Sequence, residues 1–188
     1  MNNPAKDTAE SRFGQYIASN AIRFERLLPG PIERVWAYLT ESGKRETWLG
    51  SGQVPDKIGA TFETHWENSK LGSKPGEPPA KYGKHAGVHT GKHRVTKYDP
   101  PHTLAFKWDE TSGEQSSEVT FELTPQGDKV LLTLTHQRLP TRKDVLGVSG
   151  GWHVHLDLLS DILHGNDSGS FWENFARVDG TYEARLPE

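Results

Sequence analysis

Apolar and polar residues alternate along residues 21–28, which puts Ile22, Phe24 and Leu28 on one face of a strand, with Arg26 on that same face. Pro29-Gly30-Pro31 ends the strand. Pro31 suits the first turn of a helix in which Ile32, Val35, Trp36 and Leu39 recur at helical spacing. Gly43 interrupts that pattern, and Trp48-Leu49 is expected to anchor a short second helical turn. Alternation returns at residues 59–66, with Phe62, Thr64 and Trp66 on one face, and again at residues 92–98. It continues through Leu104, Phe106 and Trp108, then through Val119, Phe121 and Leu123. Over Lys129–Gln137, Val130, Leu132 and Leu134 share a face with His136. Turns fall at Asp99-Pro100-Pro101, Ser112-Gly113 and Pro125-Gln126-Gly127-Asp128. Residues 68–91 are rich in Gly, Pro, Lys and His and carry no period, which predicts a long mobile loop.

The period then changes. Over residues 151–164, Trp152, Leu156, Leu158, Leu159, Ile162 and Leu163 gather on one helical stripe, with Val154 at its margin. His153, Asp157, Ser160, Asp161 and His164 occupy the opposite arc, whereas His155 falls inside the apolar stripe. A second helix is expected at residues 171–186, with a narrow stripe of Phe171, Phe175, Val178 and Tyr182. That stripe either packs back on the body or pairs with a second subunit. Half-buried antiparallel strands followed by a covering helix place the chain in the α+β class.

Composition narrows the picture. The 188 residues suffice for one domain with a full core, and six Trp, seven Phe and five Tyr provide large burial units in a chain that is only 33% hydrophobic. A net charge of -3 gives no footprint for nucleic acid. No apolar run has the length of a membrane span and the N-terminus lacks a signal-peptide core, so a cytoplasmic location is expected. The absence of cysteine excludes disulfides, a cysteine zinc site and a thiol nucleophile.

The same residues carry a family resemblance. The opening strand and helix (Ile22 to Arg26, Pro31 to Thr40) and the proline-turn pair (Tyr98 to Leu104, Phe106 to Trp108) resemble the START-like, SRPBCC superfamily. So do the two strands Ser117 to Leu123 and Leu131 to His136, and the final helix Gly151 to Leu159. Within that superfamily the chain is similar to homologues of the ATPase activator of the ninety-kilodalton heat-shock protein. The resemblance implies a helix-grip fold: a curved antiparallel sheet around one long C-terminal helix, with an internal cavity, plus an extra terminal helix here. The expected organisation is a loose leader at 1–12, the START-like domain at 13–165 and the appended helix at 166–188. The resemblance further implies a small hydrophobic ligand in the cavity, in a stress-response setting. An acid–base cavity enzyme of the cyclase or hydrolase type is the alternative, and a co-chaperone-like interaction module a second. A chaperone partner or a homodimer through the last helix goes with that last reading.

Arg26, His136 and His155 share parity or helix angle with the buried faces. With Trp66, Trp108 and Leu159 they form the candidate ligand-binding set, a few polar groups in an apolar pocket. Each histidine, if buried, should be held neutral. His85, His89 and His93 recur every fourth residue, but Gly87 and Gly91 break any helix there, so no metal site and no cofactor is expected. Gly147-Val148-Ser149-Gly150-Gly151 matches the nucleophile-elbow spacing without a preceding strand. It is read as a flexible lead-in with a helix cap, and no catalytic residue is assigned.

Overall fold

The structure, a computed structural model, describes residues 9–110 and 116–185. The Ser112-Gly113 turn, residues 1–8 of the expected leader and the last three residues lie outside the described residues. Seven strands form one antiparallel sheet: β1 (Gln15–Ala18), β2 (Ala21–Pro29), β3 (Thr61–Trp66), β4 (His89–Asp99), β5 (Thr103–Lys107), β6 (Glu118–Gln126) and β7 (Lys129–Gln137). Their order across the sheet is β1-β2-β7-β6-β5-β4-β3. In β2 and β7 the predicted alternation is the observed one. Ile22, Phe24, Arg26 and Leu28 of β2 lie opposite His136, Leu134, Leu132 and Val130 of β7, and all are buried. This is the curved sheet and long C-terminal helix of a helix-grip fold.

Two short helices, α1 (Ile32–Thr40) and α2 (Ser42–Arg45), close one end. The second helical turn sits earlier than expected: Gly43 lies within α2, and Trp48 and Leu49 follow it as buried plugs. Trp48 donates its indole N–H to the Tyr38 carbonyl at 2.9 Å. Arg45, also buried, donates to the Gly52 carbonyl and the Thr64 hydroxyl and so ties the chain after α2 to β3.

Helix α3 (Arg142–His164) begins nine residues before the expected start at 151. Thr141 caps it, its hydroxyl oxygen accepting from the Asp144 N–H at 3.2 Å, a Thr-x-x-Asp arrangement that satisfies an end the glycines obscure. Ser149 is therefore neither a cap nor an elbow. It lies inside the helix, fully buried, and donates to the Val145 carbonyl at 2.6 Å. The arc of α3 expected to face water is also covered, with His153 and Ser160 buried. The cover is α4 (Phe171–Arg185), which packs back on α3 through Phe171, Trp172, Phe175 and Tyr182. Gly150 permits the approach, since a β-carbon there would stand 3.0 Å from the Phe175 ring.

Residues 68–85 also differ from expectation. Two 3-10 turns, Asn68–Lys70 and Ala80–His85, belong to a strap laid on α4. Leu71 is buried and its carbonyl accepts from the Phe171 N–H at 3.3 Å. Trp172 donates to the Ser69 hydroxyl at 3.1 Å, and the Tyr82 hydroxyl donates to Asp179 at 2.6 Å. Local sequence lacks a period here because the anchoring partners lie about a hundred residues away.

Gly72 makes the strap possible. Its φ is +95°, and a β-carbon would meet the Gly169 carbonyl oxygen at 2.1 Å. Gly72→Ala should therefore lower unfolding free energy by roughly 2 kcal/mol, with faster hydrogen exchange in residues 69–85. Gly83→Ala, where a β-carbon meets nothing within 4 Å, should leave both unchanged.

Candidate functional site

Aromatic rings fill the space between the sheet and α3. Phe106, Phe121, Trp108 and Trp152 follow one another at centroid separations of 5.1–6.3 Å, and Trp66 packs on Trp108 at 5.5 Å. Of the candidate set, Trp66, Trp108 and His136 come together here, with Trp108 and His136 5.5 Å apart. His155 stands beyond Trp152, at 6.3 Å from its ring. It donates from Nδ1 to the Trp48 carbonyl at 2.8 Å and packs on Phe171. Leu159 is fully buried in the core.

Arg26 is elsewhere. Its side chain is buried and pairs with Asp157 of α3 at 2.9 Å, while also donating to the Arg12 carbonyl at 2.8 Å. It does not reach water along its stem as an unpaired arginine would. Desolvation works against the Asp157 carboxylate, but the His153 hydrogen bond and the charges of Arg26 and Arg12 outweigh it and hold the carboxyl below its ordinary value. On the other side of His153, Nδ1 lies 2.8 Å from the Tyr182 hydroxyl, which accepts from the Gly14 N–H at 3.0 Å. One polar chain thus joins β2, α3, α4 and the segment before β1.

Burial sets the chemistry of the interior histidines. His136 is pushed down to about 3 by desolvation. His155 falls to about 4, desolvation outweighing the hydrogen bond to Trp48. His93, inside the strand expected at residues 92–98 but outside the candidate set, lies in β4 with its ring caged by Phe62, Trp66, Phe106 and Trp108. Neither of its ring nitrogens has a hydrogen-bond partner among the described residues; burial and the Arg45 cation push it down to about 4. His85 and His89 remain together outside that cage, 5.8 Å apart. No cluster of three metal-binding side chains exists among the described residues.

The recess able to take a ligand lies at the side of the aromatic interior. A cleft of about 820 Å3 opens between the first half of α3, α4, the Ala80–His85 turn and the residues Trp108, Asp109, Ser116 and Ser117. Leu146, Val148, Trp108, Phe171, Trp172 and Phe175 give it apolar walls, and Tyr82 stacks on Trp172 at 6.4 Å. Ser117 contributes a hydroxyl, and Lys84 and Lys143 stand at its rim. Of the candidate set, Trp108 lines it directly. The other walls were missed because they come from four distant segments; the readable signal was Gly147 and Gly151, one helical turn apart. Both line the cleft, and a β-carbon on either meets nothing within 4 Å. A second, more polar cleft of about 420 Å3 flanks Asp157 further along α3, lined by Arg12, Asp161 and Arg177 among others.

The family model for Activator of Hsp90 ATPase homolog 1-like protein matches residues 29–164. The chain belongs to that family. This member is 41% identical to the protein encoded by gene BPP1335 of Bordetella parapertussis, whose solution NMR structure superposes with a TM-score of 0.79 over 100% of this chain and 97% of that one. CalU16 from Micromonospora echinospora is 21% identical, covering 93% of this chain and 94% of that chain, with a TM-score of 0.62. DynU16, of the dynemicin biosynthetic locus, is 20% identical over 81% of this chain and 51% of that chain, with a TM-score of 0.61. At those identities the last two show a shared fold. No curated protein matches the chain. No helix among the described residues is long and apolar enough to cross a membrane.

Two outcomes follow. The unfolded chain takes up protons on its histidines below about pH 6.5, whereas His93, His136 and His155 stay neutral in the folded chain until about pH 4 or 3. Stability is therefore full above about pH 7 and falls from pH 6.5 towards 4, by up to roughly 1.4 kcal/mol per pH unit for each ring. Urea unfolding at stepped pH reads this slope, and His93→Leu should remove one histidine's share. Separately, Asp157→Asn leaves the buried Arg26 cation uncompensated and should cost roughly 3 kcal/mol in the same measurement at pH 7.5.

Proposed function

We propose that this chain is a binding protein for a small, largely apolar aromatic molecule held in the cleft between α3 and α4. The observation that carries the reading is the pair Gly147 and Gly151. A glycine inside a helix costs roughly 1 kcal/mol relative to alanine, and at these two positions no neighbour forbids a side chain. What their bareness does is keep the cleft deep. The volume and the aromatic walls with a few polar groups are those of a small-molecule site. Trp108 acts as a wall, with Trp66 and His136 behind it. Arg26, His155 and Leu159 hold the frame that positions it.

Family membership agrees with a cavity protein and leaves the ligand open. An acid–base enzyme is a poorer fit, because His136 and His155, at about 3 and 4, hold no exchangeable charge near neutral pH. A protein-docking role through an apolar patch is also less supported. Among the described residues, the exposed large hydrophobic side chains Ile17, Ile58 and Val88 belong to three different segments.

Gly151→Phe tests the reading, because a β-carbon there meets nothing within 4 Å and the ring beyond it is directed at the space a ligand would take. A thermal-shift panel of planar aromatics, sterols and fatty acids should give ligands that stabilise the wild type, with about 2.7 kcal/mol expected at a hundredfold excess over Kd. Gly151→Phe should abolish those shifts while folding at least as stably. Ligand shifts that persist undiminished in Gly151→Phe would move binding away from this cleft.

A further inference from the structure

Ser117 closes a short relay that starts in the core. The indole N–H of Trp152 can only donate, and it lies 3.0 Å from Nδ1 of His136. Nδ1 must therefore present its lone pair. The ring is neutral and fully buried, so its single proton sits on Nε2, 2.8 Å from the Ser117 hydroxyl oxygen. Ser117 consequently accepts from His136. The opposite arrangement, with Ser117 donating to Nε2, would place a proton on Nδ1 facing the Trp152 N–H, two donors at 3.0 Å. The hydroxyl proton of Ser117 is left to point away from His136, and Ser117 lines the cleft. No acceptor among the described residues takes it.

We infer that Ser117 is the hydrogen-bond donor of the ligand site, and that the ligand is a planar aromatic molecule bearing a carbonyl or phenolate oxygen. The inference rests on the cleft reading above and adds to it the polarity and position of one contact. Trp108, 5.5 Å from His136, and the stacked Tyr82 and Trp172 supply flat apolar surfaces for the ring system. Ser117, in the lining of the same cleft, supplies the donor. The relay also excludes a nucleophilic role for Ser117 through His136. A base must have its acceptor nitrogen towards the hydroxyl, and here that nitrogen carries the proton.

The test uses 9-fluorenone and fluorene, tricyclics of the same outline in which a carbonyl replaces a methylene. Fluorenone should bind the wild type about fivefold more tightly than fluorene, the worth of one net hydrogen bond. Ser117→Ala should bind the two equally, and Ser117→Thr, which keeps the hydroxyl, should restore the preference. Equal binding of the two by the wild type, or a preference that survives in Ser117→Ala, overturns the donor role while leaving the cleft reading intact. Binding of neither to the wild type overturns both. Because Ser117→Ala strands the His136 N–H and can impair folding, the two-bond 1H–15N NMR pattern of His136 in the wild type gives an independent check. A proton on Nε2 is expected, and a proton on Nδ1 overturns the proposal.

Discussion

The rest of this fold depends on the second half of α3 being enclosed between the sheet and α4. One face meets the concave sheet through Trp152, Leu156 and Leu159, and the other meets α4 through His153 and Gly150. A helix in that position cannot leave polar groups unpaired, because an unsatisfied buried donor or acceptor costs roughly 1–3 kcal/mol. The chain answers with directed contacts from four side chains of α3. Asp157 meets Arg26, His153 meets Tyr182, His155 meets the Trp48 carbonyl, and Trp152 meets His136. Each contact joins α3 to a different element. The helix is thereby fixed in rotation as well as position, which sets where its glycine face opens.

That opening is the functional consequence. The first half of α3 turns Gly147, Gly151, Leu146 and Val148 towards α4 and the strap, and the gap left there is the cleft. The strap depends in turn on α4, and α4 on the Tyr182–His153 contact. The terminal helix that the family model's match at residues 29–164 does not include is thus the element that turns an aromatic core edge into a walled recess.

The sheet was legible because strand periodicity is local. Val130, Leu132, Leu134 and His136 could be assigned to one face without knowing their partners. The start of α3 was not, because Gly147, Gly150 and Gly151 read as flexible and outweighed the local Thr141-x-x-Asp144 capping signal. The exposed assignment of His153 failed for a different reason: only the packing of α4 buries it. The six-residue candidate set mixed two environments for the same reason. Facing inward was readable for Arg26 and His136 alike, but an ion pair with Asp157 and a hydrogen bond towards Ser117 put them on different sides of α3. The cleft walls share no sequence neighbourhood, so their assembly was visible only in three dimensions.

The central claim is that ligands enter between α3 and α4. The most direct measurement is a 19F NMR titration of the protein carrying 5-fluorotryptophan, with 9-fluorenone as the probe. Trp108 and Trp172 line the cleft, whereas Trp36 packs on Tyr98 and Trp48 is sealed beneath α1. The resonances of Trp108 and Trp172 should move together and saturate, with Trp36 and Trp48 unchanged. Saturable shifts at Trp36 or Trp48 without movement of Trp108 and Trp172, or no saturable shift at any tryptophan, would contradict the account.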